Sequence, residues 1–312
     1  MDPVLNALLL SWDWRLDVSA VLLFMGSLYS LGWWRIRRQG TGRQRLATGR
    51  RLASYLGGLL LLAIALMSPV DVLSGQLLLM HMIQHKLLIV FAPPLLWAAN
   101  PLPFFLWGLP PRPRRQAARL LSPGSPFRHT LRALTSPGLV WLAFVSILVG
   151  WHDPNAYNAA LRSRLVHDLE HLTFFGSAML FWWQVVGAGP RLRSLSNGVR
   201  LAYVLGVVPV NMAIGVTLAF ASQPIYTYYT AAPRLWGINV MLDQMIGGVI
   251  MWIPGSEMYI YAALIIIARM VQSEADKAPL PEAEWASDEA MRAPGWAASS
   301  DDESASYQTQ TC

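Results

Sequence analysis

The sequence predicts an all-α, polytopic membrane protein: a seven-transmembrane-helix bundle with its N-terminus outside and its C-terminus cytoplasmic. Three observations carry this prediction. Apolar residues make up 54% of the 312 and charged residues only 13%, too little polar surface for a water-exposed chain of this length. The apolar residues gather into runs of about 20, the length a helix needs to cross hydrocarbon at about 1.5 Å per residue. Arginines concentrate in alternate connections between those runs. The same composition excludes a soluble enzyme, a nucleic-acid-binding module and a disordered chain, so the expected environment is a lipid bilayer with no nucleic-acid partner.

The first run, near 18–35, is preceded only by Arg15 and followed by a strong basic cluster. With no small-residue cleavage site evident, it reads as a spanning helix rather than a cleaved leader. The second lies near 52–68. Between them, Arg35, Arg37, Arg38, Arg43, Arg45, Arg50 and Arg51 place the first connection in the cytoplasm. The third run, 76–99, contains Pro93-Pro94, which should bend or break it. Residues 100–135 are rich in Pro and Arg, and 114–121 reads as a short amphipathic helix on the inner surface. The fourth and fifth runs are near 136–152 and 166–187. The sixth, 200–221, carries Pro209 and follows a connection with Arg191, Arg193 and Arg200. The seventh, 240–269, carries Gly247-Gly248, which would let another helix approach closely, and Pro254, where a kink is expected. The opposite connections hold only Arg162, Arg164 and Arg234, with Arg15 on the N-terminal segment.

Two regions result: a seven-helix transmembrane domain, 1–272, and an acidic tail, 273–312, expected to be disordered and cytoplasmic. Beyond Val271 there are nine acids and two bases, net −7, which leaves the body at +13. The basic body reflects topology at a membrane face rather than nucleic-acid binding.

The single cysteine, Cys312, allows neither an intrachain disulfide nor a thiolate cluster. A metal site must therefore use His, Met, Asp or Glu. Five of the six histidines fall at the external face: His81 and His85 in HMIQH, His152 in WHD, His167 and His171 in HDLEH. The sixth, His129, lies in an inner loop and looks incidental. A spacing of four puts both imidazoles of a pair on one helical face. One such pair is ordinarily an interfacial hydrogen-bonding feature. Two pairs and a fifth histidine at one depth point to a metal or cofactor site. Imidazole suits copper, zinc and iron, and affinity alone favours copper. Met80 and Met82 add little among 13 methionines. Haem is the main alternative, although one pair a turn apart cannot clamp both faces of a porphyrin. HDLEH also matches an inverted zinc-protease pattern with Glu170 as base, but without that family's soluble context.

Acidic residues near the same face, Asp71, Asp153, Asp168 and Glu170, have helix capping as their ordinary role. Asp243 lies farther into an apolar helix and is a candidate for binding metal or orienting an imidazole. Lys86 and Glu257 are ionisable groups within spans and could pair.

Four motifs in order, HMIQHKLLIVFAPPLLW (81–97), WHDPNAYNAAL (151–161), HDLEHLTFFGSAMLFWW (167–183) and DQMIGGVIMWIPG (243–255), together resemble the heptahelical CtaG family of cytochrome c oxidase assembly factors. The resemblance spans roughly 70–270 and does not extend to the single-span copper chaperone that shares the name. It implies a factor that serves the copper centre of the oxidase during assembly; with the arginine asymmetry and the compact seven-span form, the expectation is a non-enzymatic protein of the bacterial inner membrane, holding or delivering copper on the outer face. The implied partners are cytochrome c oxidase subunits and a periplasmic copper chaperone. It transfers a motif position to His81, His85, His152, His167, His171 and Asp243. A haem-binding membrane redox protein and a copper permease remain the alternatives.

Overall fold

The computed structural model describes residues 10–39, 42–188 and 195–275. All regular structure among the described residues is helical. The chain clusters into two units, Met1–Ile267 and Ala268–Cys312. Of the second, residues 268–275 are described and helical. The acidic tail expected from 273 onward thus lies almost wholly outside the described residues.

Among the described residues the α-helices are, in chain order, α1 (Leu16–Arg38), α2 (Gly49–Met67), α3 (Pro69–Ser74), α4 (Leu78–Ala98), α5 (Pro101–Gly108), α6 (Pro111–Leu120), α7 (Pro126–Leu134), α8 (Pro137–Trp151), α9 (Pro154–Arg162), α10 (Arg164–Val186), α11 (Asn197–Phe220), α12 (Tyr228–Ala231) and α13 (Val240–Ala275). Five of them, α1, α2, α4, α11 and α13, are long and apolar enough to cross a membrane. The pair α7 and α8, bent by 51°, adds a sixth if it is counted as one span. The remaining expected span is present as helix α10. Its first two turns carry Arg164, His167, Asp168, Glu170 and His171, and this polar start keeps it outside that set.

Local chemistry sets the boundaries. Each helix from α5 to α9 opens on proline, whose missing N–H costs nothing in a first turn. Ser68 caps α3 and Asp153 caps α9 with their side-chain oxygens. The amphipathic inner helix expected near 114–121 is α6, with none of its residues fully buried.

Pro93-Pro94 shape α4 as the sequence requires. Ahead of them, residues Leu87–Phe91 widen into a π turn. Proline at 93 removes the N–H that would reach the Ile89 carbonyl, and the Trp182 indole of α10 donates to that carbonyl instead, at 2.8 Å. In α11 the ladder breaks at Gly206–Val207, and Pro209 falls in the first turn of the segment that resumes. The close approach expected at Gly247-Gly248 occurs between α11 and α13. A Cβ on Gly248 would lie 2.5 Å from the Ala219 nitrogen and 2.7 Å from the Gly215 carbonyl oxygen.

These helices bring the start of α4, the end of α8 and the start of α10 to one end of the bundle. The α1 C-terminus, at the opposite end, carries arginines stacked over tryptophans: Arg37 on Trp33, and Arg38 on Trp34. Arg35 donates to the last carbonyls of α5. Lys86 and Glu257 do not form the pair the sequence suggested. Lys86 is buried and donates to Asn211 at 3.3 Å, whereas Glu257, one residue beyond buried Ser256, is on the exposed face of α13.

Candidate metal centre

α4 places His81 and His85 one turn apart, with ring centroids separated by 4.4 Å. α10 does the same for His167 and His171, at 4.0 Å. The two helices face each other, so His81 lies 5.1 Å from His167 and 6.1 Å from His171 between ring centroids. His85 is 5.6 Å from His171, and His152 is 6.4 Å from His85 on the other side. The five histidines singled out by sequence thus lie near one another at one end of the bundle, while His129 is exposed on α7.

The sequence-level pairs are not the units of this site. The tightest group is His81, His167, His171 and Glu170, whose candidate ligand atoms all lie within 4.8 Å of one another. Glu170, with 0% exposure, stands between the two α4 histidines. One carboxylate oxygen is 3.7 Å from His81 Nε2 and the other 3.5 Å from His85 Nε2. Its spacing could have revealed it: three residues after His167, it lies on the same helical face.

The ring nitrogens are partly committed. Tyr229 on α12 donates its hydroxyl proton to the Ser74 carbonyl at 2.8 Å. Its oxygen is then the acceptor for His81 Nδ1–H, at 3.2 Å. This puts the His81 proton on Nδ1 and leaves the Nε2 lone pair facing Glu170. His152 is held likewise, its Nδ1–H donating to the Leu148 carbonyl at 2.7 Å. Neither Tyr229 nor the backbone acceptor was marked by the sequence.

What remains is a concentration of unpartnered polar atoms. Nε2 of His81, His152, His167 and His171, both ring nitrogens of His85 and both Glu170 oxygens are buried without a hydrogen-bond partner among the described residues. Each such atom costs about 1–3 kcal/mol in a dry interior. Imidazole nitrogens and a carboxylate are good donors for a divalent or monovalent transition-metal ion, which would satisfy several of them together. The residues present therefore fit a metal.

The structure places Asp243 elsewhere. Its carboxylate accepts from the backbone N–H groups of Leu78 and Leu79, each at 2.9 Å. α4 has no side-chain cap of its own, so α13 supplies one to the helix that carries His81. Asp243 thus acts on a helix terminus and not on an imidazole. Asp168 likewise is not a cap: it pairs with Arg15. Asp71 accepts from Gln84, the residue before His85, at 2.6 Å. Burial pushes the Asp71 carboxyl up from its ordinary range, opposed by that hydrogen bond.

The family of cytochrome c oxidase caa3 assembly factors, Caa3_CtaG, matches residues 27–273. An uncharacterized protein of Mycobacterium leprae (strain TN) is 26% identical over 270 residues, covering 83% of this chain and 39% of the relative. An uncharacterized protein of Mycobacterium bovis is 26% identical over 251 residues, covering 77% of this chain and 36% of its own length. The chain thus spans well under half the length of these relatives. No solved structure matches it. With the match running from within α1 to the end of α13, the chain belongs to the cytochrome c oxidase caa3 assembly factor family.

Proposed function

We propose that this chain takes up copper at the outer face of a bacterial inner membrane and passes it to cytochrome c oxidase during assembly, without catalysing a reaction of its own. Seven spans, an external N-terminus and a cytoplasmic C-terminus belong to this reading. A periplasmic copper chaperone is the expected donor, and oxidase subunits are the recipients.

The convergence of His81, His167, His171 and Glu170 is the observation that carries the proposal. The separations support it. Contacts of 3.5 and 3.7 Å between imidazole nitrogen and carboxylate oxygen are long for hydrogen bonds. Two ligands bonded to one ion at about 2.1 Å with a tetrahedral angle lie about 3.4 Å apart. Ring centroids separated by 4.0–6.1 Å suit ligands around an ion better than axial ligands around a flat porphyrin. Imidazole donors favour copper among divalent ions, and the family serves a haem–copper enzyme.

The permease alternative gains one observation: polar groups continue beyond the histidines, from Lys86 to Asn211 and Ser256. A lysine in that line opposes passage of a cation, which favours the holding role. Metal and optical analysis of the purified protein separates the readings, with copper expected and a Soret band pointing to haem. Replacing His81 and His85, or His167 and His171, by Ala should lower bound copper and oxidase maturation at similar protein abundance. Unchanged copper binding and maturation in both variants would falsify the site. Copper uptake into vesicles would instead favour the permease.

A further inference from the structure

We infer that a cleft at the histidine end of the bundle is the passage by which the metal ion reaches the buried cluster, and that the Arg15–Asp168 ion pair holds its mouth closed. The inference rests on the metal-holding role proposed above and adds a path to it. The cleft has a volume of about 330 Å³, and His167, Asp168, Asp71 and Gly75 are among the residues that line it. His167 is thus common to the cleft and to the four-residue cluster. Behind it, His81 and Glu170 are each 0% exposed. An ion cannot cross an apolar interior bare, so it must move from ligand to ligand. His167 is half-buried, and its Nε2 is itself buried without a hydrogen-bond partner among the described residues; a ring that borders both cleft and cluster has the position of the first ligand in such a transfer.

The mouth is strapped by the segment before α1. The Asp13 amide donates to the Met67 carbonyl at 3.0 Å, and Arg164 donates to the Asp13 carboxylate at 3.3 Å. Arg15 grips both oxygens of Asp168 while also bonding Asp17. The lining carries Asp13, Asp71 and Asp168 against Arg15, Arg162 and Arg164, so its formal charges cancel. In this state the cleft has no net attraction for a cation. Releasing Arg15 frees the Asp168 carboxylate beside His167 and leaves the lining net negative, which favours cation arrival.

Two variants outside the cluster test this on the full-length purified protein. Copper(I) is presented as its bicinchoninate complex, and loss of the chelate colour gives both the loading rate and the final occupancy. Gly75 has an ordinary φ of −72°, and a Cβ there meets its nearest neighbour, the Val72 carbonyl oxygen, at 3.9 Å. Gly75→Trp should therefore obstruct the cleft and slow loading about tenfold or more at unchanged final occupancy. Arg15→Gln should speed loading severalfold at low salt, again with unchanged occupancy. Loading rates within twofold of wild type for both variants would overturn the inference. If Gly75→Trp lowers occupancy as well, it has disturbed the cluster, and the Arg15→Gln rate alone decides. A wild-type protein that takes up no copper rejects the metal-holding role itself, a different outcome from loading that ignores the cleft.

Discussion

At the scale of single residues, the site depends on which nitrogen of each ring carries its proton. Tyr229 settles this for His81 because its own proton is spent on Ser74. Tyr229→Phe should therefore lower copper affinity about 10–100-fold, the usual cost of losing a ligand-orienting hydrogen bond. Competition titration against a chelator checks this, with unchanged protein abundance separating it from a folding defect. Glu170→Gln keeps the shape but removes the charge from the centre of the cluster. It should weaken copper binding more than Tyr229→Phe does, whereas equal or smaller loss would mean that the carboxylate is not a ligand. His129→Ala, on an exposed face of α7, should change neither affinity nor oxidase maturation. The histidines could be read in advance because HxxxH spacing fixes a shared helical face within one element. Tyr229 could not, since its partners His81 and Ser74 lie about 150 residues away in sequence.

At the scale of elements, α4 is held by its neighbours rather than by its own sequence. Pro93 frees the Ile89 carbonyl, and Trp182 occupies it. Trp182→Phe leaves that buried acceptor unpaired and should destabilise the protein by about 1–3 kcal/mol. At the other end, α4 lacks a cap, and Asp243 supplies one from α13. Asp243→Ala should cost about 1–2 kcal/mol, within the range for a lost helix cap. Both losses are measurable as earlier unfolding in a detergent–denaturant titration. A direct metal ligand at Asp243 would instead show as lost copper occupancy with unfolding unchanged. The proline positions foretold irregular helices, because a missing N–H is a local fact. The donor that would meet each freed carbonyl is a tertiary fact, as is the role of Asp243. From sequence, a carboxylate inside an apolar helix looked suited to an imidazole, but two backbone amides of α4 are nearer.

At the scale of the whole molecule, the arrangement of arginines predicts orientation. Reporter fusions after Arg269 should read cytoplasmic, and fusions within 153–165 external. The tryptophan–arginine stacks lie at the C-terminal end of α1. The histidine cluster and the cleft lie at the opposite end, where α1 begins and Arg15 meets Asp168. The opposite reporter result would put the cluster on the cytoplasmic side and reject delivery of copper at the outer face.

Composition, apolar run length and residue spacing by themselves determined an all-helical, membrane-type chain, the approximate place of each long helix and the five histidines that come together. These are readable because hydrophobic run length, proline chemistry and i,i+4 spacing act within one segment. Tertiary structure alone decided how the histidines are partitioned. It put Glu170 between His81 and His85, set His152 to one side and turned Asp243 away to cap α4. The reason is that a donor set is a matter of distance between helices. Where α4, α8, α10 and α13 come together is set by packing, including the Gly215–Gly248 contact between α11 and α13 and the Trp182 bond that ties α10 to α4.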